Sequence, residues 1–239
     1  MSSSHRPADF DGAAAVTRSL LGWGVVAGAF YLIVGLVQAL TRDGFDLGRH
    51  PLSLLMLGEG GWMQRANLIL SGLMVLAAAL GFFRAMGRAG SGTRAGILLG
   101  VFGLGLVGSG IFPPDSMAGF PPGADQSTGT FGGVLHLAFG AIGFLCLSMA
   151  AFRVARWSGL DRSRRLTGFS RVGGAVILLG FVGGAALSNS TAGIVALWIA
   201  VVTGWAWLAV ASVGLYRTVP HPDAHRRGEI THVEDESRS

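Results

Sequence analysis

The chain has 239 residues, 51% of them hydrophobic and only 13% charged, with a net charge of +5. A soluble domain cannot hide so large an apolar share, so the composition excludes an ordinary water-soluble fold and points to a membrane protein. A basic balance can serve nucleic acid, but the eighteen basic residues are all arginines scattered between apolar runs, with no basic stripe carrying interleaved aromatics. Nucleic acid is therefore not an expected partner. The single cysteine, Cys146, lies inside an apolar run. It excludes a disulfide framework and a four-thiolate zinc site within one chain. An arginine-only basic set with abundant Ala and Gly fits a GC-rich bacterial genome.

In chain order, residues 1–18 read as a polar tail. The first apolar run, Leu20 to Leu40, is longer than a signal-peptide core and ends in "VQALTRDG" without a small-x-small cleavage site, so it is a retained helix. Further runs follow at Trp62 to Phe83, Ala95 to Phe112, Phe131 to Ala151, Val172 to Asn189 and Ala192 to Tyr216. Each suits a hydrocarbon core about 30 Å thick, with tilt. The last two are separated only by "SNST" (188–191), and their sum is too long for one crossing, so they form a tight hairpin. The expected fold is all-α, a polytopic bundle of six transmembrane helices over residues 19–217, with a disordered tail at 218–239.

Arginine placement sets direction. Fifteen of the eighteen flank the termini and the second and fourth connections, whereas Arg42, Arg49 and Arg65 fall on the opposite side. Short positive segments stay inside, so both termini are expected to be cytoplasmic and the protein to sit in a bacterial cytoplasmic membrane. Glycines recur at 96, 100, 103 and 110 and again at 173, 180 and 184, each set marking roughly one helix face for close packing in lipid.

Two connections on the arginine-poor side carry most of the polar residues. The first, "TRDGFDLGRHPLSLLMLGEGGW" (41–62), holds Arg49, His50, Ser53 and Glu59, and its "PLSLLMLG" is too short to span, so it lies along the interface or dips partly in. The second, "GIFPPDSMAGFPPGADQSTGTFGGVLH" (110–136), gathers four of the eight prolines with Asp115, Asp125 and His136. His136 is expected about 7 Å inside helix four and facing the bundle, on the face of Gly140 and Gly143. Arg65, one turn below Trp62, either snorkels or pairs with Asp115 or Glu59; Asn67 and Ser71 stack nearby. An ionisable group facing a membrane bundle is a functional candidate, although a hydrogen-bonded packing histidine explains His136 equally well.

The ordered stretches "SLLMLGEGGWMQRANLILSGLMVLAAALGFFR" (53–84), "GSGIFPPDSMAGFPPGA" (108–124) and "GGVLHLAFGAIGF" (132–144) resemble the bacterial membrane family Domain of Unknown Function 998. The resemblance covers most of the chain between helices one and six and implies six membrane helices. Its motif positions fall on Ser53, Gly58, Trp62, Asn67, Asp115, Gly123 and His136. It implies no particular activity. Related sequences often continue "FPPD" with a proline; this one has Ser116.

Three functions are expected to compete, and whether the protein is an enzyme stays open. The first is an outward-facing pocket for a small molecule or lipid headgroup, associated with transport, in which Arg65, Asn67, Asp115 and His136 hold the polar part and Trp62 and Phe131 the apolar part. The second is a hydrolase or lipid-modifying enzyme at the outer face. Its catalytic candidates are Asp115, His136 and Ser53, and its metal-ligand candidates Asp115, His136, His50 and Glu59. The third is a structural helper packed against another membrane protein. No HExxH, GxSxG, phosphate-binding loop or dinucleotide fingerprint is evident, so no cofactor is indicated.

Overall fold

In the computed structural model, residues 10–87, 90–160 and 163–223 are described, apart from the Ser91 side chain. They form six long helices: α1 (Gly12–Thr41), α2 (Gly61–Ala85), α3 (Ser91–Ile111), α4 (Phe131–Ser158), α5 (Arg164–Ala186) and α6 (Thr191–Tyr216). A short 3-10 turn, Leu52–Met56, lies between α1 and α2. All six helices are long and apolar enough to cross a membrane.

Four of the six helices start where a side chain accepts from one of the first free amides. Asp11 accepts from the Ala14 amide, Thr130 from Gly133, Ser163 from Leu166 and Ser190 from Gly193. α1 therefore begins at Gly12, ahead of the boundary at residue 19. Likewise α4 runs on to Ser158 and α5 begins at Arg164, well outside the expected spans. Arg153, Arg156, Arg164, Arg165 and Arg171 thus ride on helix extensions rather than in a long loop. Hydropathy registers only the part of a helix that lipid would cover, and these extensions are too polar for that. At the same end, Arg84 donates to the Thr17 hydroxyl and the Ala13 carbonyl. Arg18 donates to the Val219 carbonyl and lies over the Tyr216 ring, so residues 218–223 are packed against α1. The rest of the tail expected to be disordered, 224–239, lies outside the described residues.

The helices form a ring. Each packs against the next in sequence, and α6 returns to α1. Glycines allow the close crossings: a Cβ on Gly103 would stand 2.9 Å from the Gly72 carbonyl oxygen, so the α2 and α3 backbones nearly touch there. Gly96 and Gly110 also face α2, whereas Gly100, expected on the same face, has nothing within 4 Å of a Cβ built on it. Gly180 and Gly184 face α6. Toward the arginine-rich end the ring is filled by Phe82, Leu99, Leu147, Ile177 and Trp207, all nearly or fully buried. Toward the other end the middle of the ring is hollow.

Candidate functional site: a central cavity and the loops above it

The hollow has a volume of about 980 Å³. That is at the upper end of the roughly 300–1,000 Å³ typical of small-molecule sites. Every helix contributes to its wall. Tyr31 comes from α1, Leu68 from α2, Phe102 and Leu106 from α3, Phe144 and Leu147 from α4, Phe181 from α5, and Trp198 and Trp205 from α6. Trp205 forms the floor, its ring 5.1 Å from that of Tyr31 and 5.8 Å from that of Phe102. The mouth is polar: Arg49, Ser53, Asp115, Ser127, Thr128 and the turn at residues 188–191 surround it. The site therefore grades from aromatic and aliphatic below to hydroxyl, amide and charge above.

His136 lies in this wall and is 7% exposed. Its Nδ1 lies 3.0 Å from the Ser109 carbonyl oxygen and 2.9 Å from that of Phe112. Both neighbours are acceptors only, so Nδ1 carries a proton and donates to them. In the neutral ring Nε2 then keeps its lone pair. Ser109 sits in the last turn of α3, where carbonyls lack intrahelical partners, and its hydroxyl donates back to the His136 carbonyl at 3.3 Å. His136 thus closes the end of α3 from a neighbouring helix while leaving one ring nitrogen to the cavity.

Asp115 performs the complementary task at the start of α4. Its carboxylate accepts from the Gly129 amide at 2.8 Å, the Thr130 amide at 3.3 Å and the Thr130 hydroxyl. A negative group suits a helix N-terminus, where the free amides and the helix dipole both favour it. The close seat explains the second glycine in "GGVLH": a Cβ on Gly133 would run into the Asp115 carboxylate. Ser116 staples the same loop. Its amide donates to Ser127 Oγ at 3.1 Å and its hydroxyl to the Asp125 carbonyl at 2.6 Å. Proline in its place has no amide hydrogen to give.

The other sequence candidates are divided between this cavity and purely structural positions. Ser53 lines the cavity from the 3-10 turn, whose Leu52, Leu54, Leu55 and Met56 are buried, so "PLSLLMLG" dips into the bundle. His50, 3% exposed, accepts from the Asp46 amide through Nδ1 at 2.9 Å and lies 3.1 Å from the Ala118 carbonyl through Nε2. It joins the two loops in a cluster with Phe45 and Phe120, and both of its nitrogens are occupied. Asn67 is buried and donates to the Tyr31 carbonyl and to Gln64 Oε1, tying α2 to α1. Trp62 is 69% exposed and Phe131 78% exposed; like Arg65, His50, Glu59 and Asn67, neither lines the cavity. Arg65 makes no ion pair with Asp115, Glu59 or any other described residue, which leaves the snorkelling alternative. The expectation that Arg65 and Asn67 converge on one site fails on helical geometry. Two residues apart on a helix means about 200° of rotation, so they occupy opposite faces.

Three candidates, Ser53, Asp115 and His136, do share the cavity. Among the described residues, however, no hydrogen bond links them to one another. Nor do three His, Cys, Asp or Glu side chains there come together to hold a metal ion. Arg49, which the sequence offered only as one loop residue among several, stands at the mouth, and its side chain makes no ion pair with a described residue. The aromatic residues of the wall carried no signal, because the helices are apolar on nearly every face and a cavity-facing Phe reads like a lipid-facing one.

A ring of six helices long and apolar enough to cross a membrane, around an amphipathic cavity, defines a polytopic integral membrane protein with an internal chamber. Residues 25–214 match the family model described as "Protein of unknown function (DUF998)". The chain belongs to that family, as the motifs at Ser53, Asp115 and His136 imply. No curated protein and no solved structure matches the chain.

Proposed function

We infer that the protein binds an amphiphilic molecule, a lipid or lipid-like ligand, with its apolar part in the central cavity and its polar group at the mouth. The observation that carries this reading is the graded lining: aromatic and aliphatic side chains around Trp205 below, and Arg49, Ser53 and the residue 188–191 turn above. Burying an acyl chain against such a wall is favourable by about 25 cal/mol per Å² of apolar surface taken from water. Arg49 and Asp115 are the charged residues among the described lining. The Asp115 carboxylate is already engaged by three hydrogen bonds, whereas Arg49 makes no ion pair with a described residue, so Arg49 is the charged group available to a ligand and favours an anionic headgroup. His136 Nε2 adds an acceptor for a hydroxyl or amide of the ligand.

The concentration of arginines at the opposite end supports a mouth on the outer side of a bacterial cytoplasmic membrane, with both termini cytoplasmic. A hydrolytic reading has less support. The His136 nitrogen that a carboxylate would orient is held by two backbone carbonyls, and Asp115 is committed to the start of α4. A role as a structural helper for another membrane protein requires no chamber of this size.

Native mass spectrometry of protein released from native nanodiscs tests the reading. Wild-type protein carries one anionic phospholipid-sized adduct. Gly140→Phe, which points a ring into the chamber from a position where a Cβ meets only Ser109 Oγ at 3.9 Å, loses it. A wild-type protein free of adducts contradicts the reading.

A further inference from the structure

The geometry points to the gap between α4 and α5 as a lateral portal through which a bilayer phospholipid enters the chamber sideways. The inference rests on the amphiphile-binding reading above. It concerns which ligands reach the site: those dissolved in the bilayer rather than in water.

The portal follows from how the two helices choose neighbours. Near the arginine-rich end α4 and α5 are tightly joined. Ser158 and Thr167 share a hydrogen bond of 2.9 Å, Ser148 donates to the Gly174 carbonyl at 2.8 Å, and a Cβ on Gly174 would stand 3.1 Å from the Phe152 ring. The last link is the stacked pair Phe144 and Phe181, with centroids 4.7 Å apart and planes 10° apart. Beyond it, toward the cavity mouth, no hydrogen bond or ring contact joins α4 to α5 among the described residues.

The two helices instead diverge. The upper part of α4 packs on α3: Phe139 stacks on Phe112, Gly105 meets the Phe139 carbonyl, and His136 reaches Ser109 and Phe112. The upper part of α5 packs on α6, with Gly180 against Ala196 and Ala200 and Gly184 against Leu197.

Residues at this gap are left uncovered by the neighbouring helix. Leu137, Ala141 and Ala185 line the cavity, Leu137 is 67% exposed and both alanines are exposed. At 1.5 Å per residue, Leu137 and Ala141 lie about 9 and about 15 Å inside α4, at the depth of acyl chains rather than of bulk water. The two walls also differ in height. Above the Phe144–Phe181 pair α4 continues for about 20 Å but α5 for only about 8 Å. The polar turn at 188–191 is therefore recessed to about the level of His136. A phospholipid sliding through the gap finds hydroxyls and an imidazole nitrogen for its headgroup about 8 to 12 Å above the Phe144–Phe181 pair, with the aromatic wall below them for its chains. The inner side of the notch is thus polar where a lipid is polar, which an ordinary packing defect is not.

The test reads exchange speed. Purified protein is mixed with phosphatidylethanolamine–phosphatidylglycerol vesicles containing phosphatidylglycerol labelled on its acyl chain, and the half-time of label uptake per bound lipid is followed by energy transfer from the protein. Ala141→Trp and Ala185→Trp each place an indole in the gap and lengthen that half-time about tenfold or more. Ile142→Trp adds the same bulk on a neighbouring exposed position that does not line the cavity, and it exchanges at the wild-type rate. If either alanine variant fails to fold, the other carries the test. Half-times for the folded alanine variants within twofold of wild type overturn lateral entry while leaving the chamber intact. Wild-type protein that takes up no labelled lipid overturns the chamber reading itself.

Discussion

Replacing His136 separates its two roles. The imidazole supplies one donor to two carbonyls at the end of α3, and the site is nearly closed to water. A buried acceptor left without a donor costs about 1–3 kcal/mol in soluble proteins. Interhelical hydrogen bonds measured within membranes average about 0.6 kcal/mol and reach about 1.7. His136→Ala strips both carbonyls and also leaves a void, so a loss of about 2 kcal/mol is expected. For a domain of this size that lowers the midpoint by about 4–8 °C. Asparagine places its amide nitrogen close to where Nδ1 stands, whereas glutamine places it close to Nε2. His136→Asn should therefore recover more than half of the loss and His136→Gln little of it. Thermal unfolding in detergent, followed by tryptophan fluorescence without added lipid, measures all three variants. Equal midpoints for the Asn and Gln variants, or an Ala variant as stable as wild type, would refute the capping role.

Three further outcomes follow from the same geometry. Gly100→Ala should be neutral or stabilise by up to about 1 kcal/mol, because its Cβ has open space and alanine favours helix, whereas Gly103→Ala pushes α2 from α3 and should destabilise by about 1–3 kcal/mol. Detergent-unfolding midpoints in the reverse order would contradict the close α2–α3 crossing. Gly133→Ala drives a methyl into the Asp115 carboxylate and should cost about 1–3 kcal/mol, with proteolysis increasing in the 113–130 loop; resistance equal to wild type would count against the Asp115 clamp. With Cys146 replaced by serine, a thiol at Gln126 should react with an impermeant maleimide on intact cells and one at Leu160 only after lysis. The opposite pattern inverts the topology.

The helices were legible because a run of about 20 apolar residues has few structural alternatives. Their ends at the arginine-rich side were not, since Arg153, Arg156 and Arg164 fall outside any apolar window although the backbone stays helical. Asp115 and His136 stood out as polar groups beside greasy helices, and both reach the cavity. Their hydrogen-bond partners were hidden, because all but the Thr130 hydroxyl are backbone groups, 14 to 27 residues away, and every residue carries those. Arg65, Asn67 and Trp62 looked like neighbours along the chain, but helical rotation turns Asn67 away from the face that Trp62 and Arg65 share. The apolar wall of the chamber could not be read. Phe102, Phe144, Phe181 and Trp205 acquire their meaning only when α3 to α6 close the ring.

The central claim is that an acyl chain reaches the middle of the ring, and Trp205 is the natural reporter. It is 4% exposed, forms the cavity floor and is shielded from surrounding lipid by the helices. A protein with Trp205 as its single tryptophan, the other five changed to phenylalanine, would be placed in bilayers of phosphatidylglycerol brominated on the acyl chain, a contact-range quencher. The account predicts strong quenching that disappears when Gly140→Phe is added. Fluorescence unchanged by the brominated lipid, in a folded protein, would contradict it.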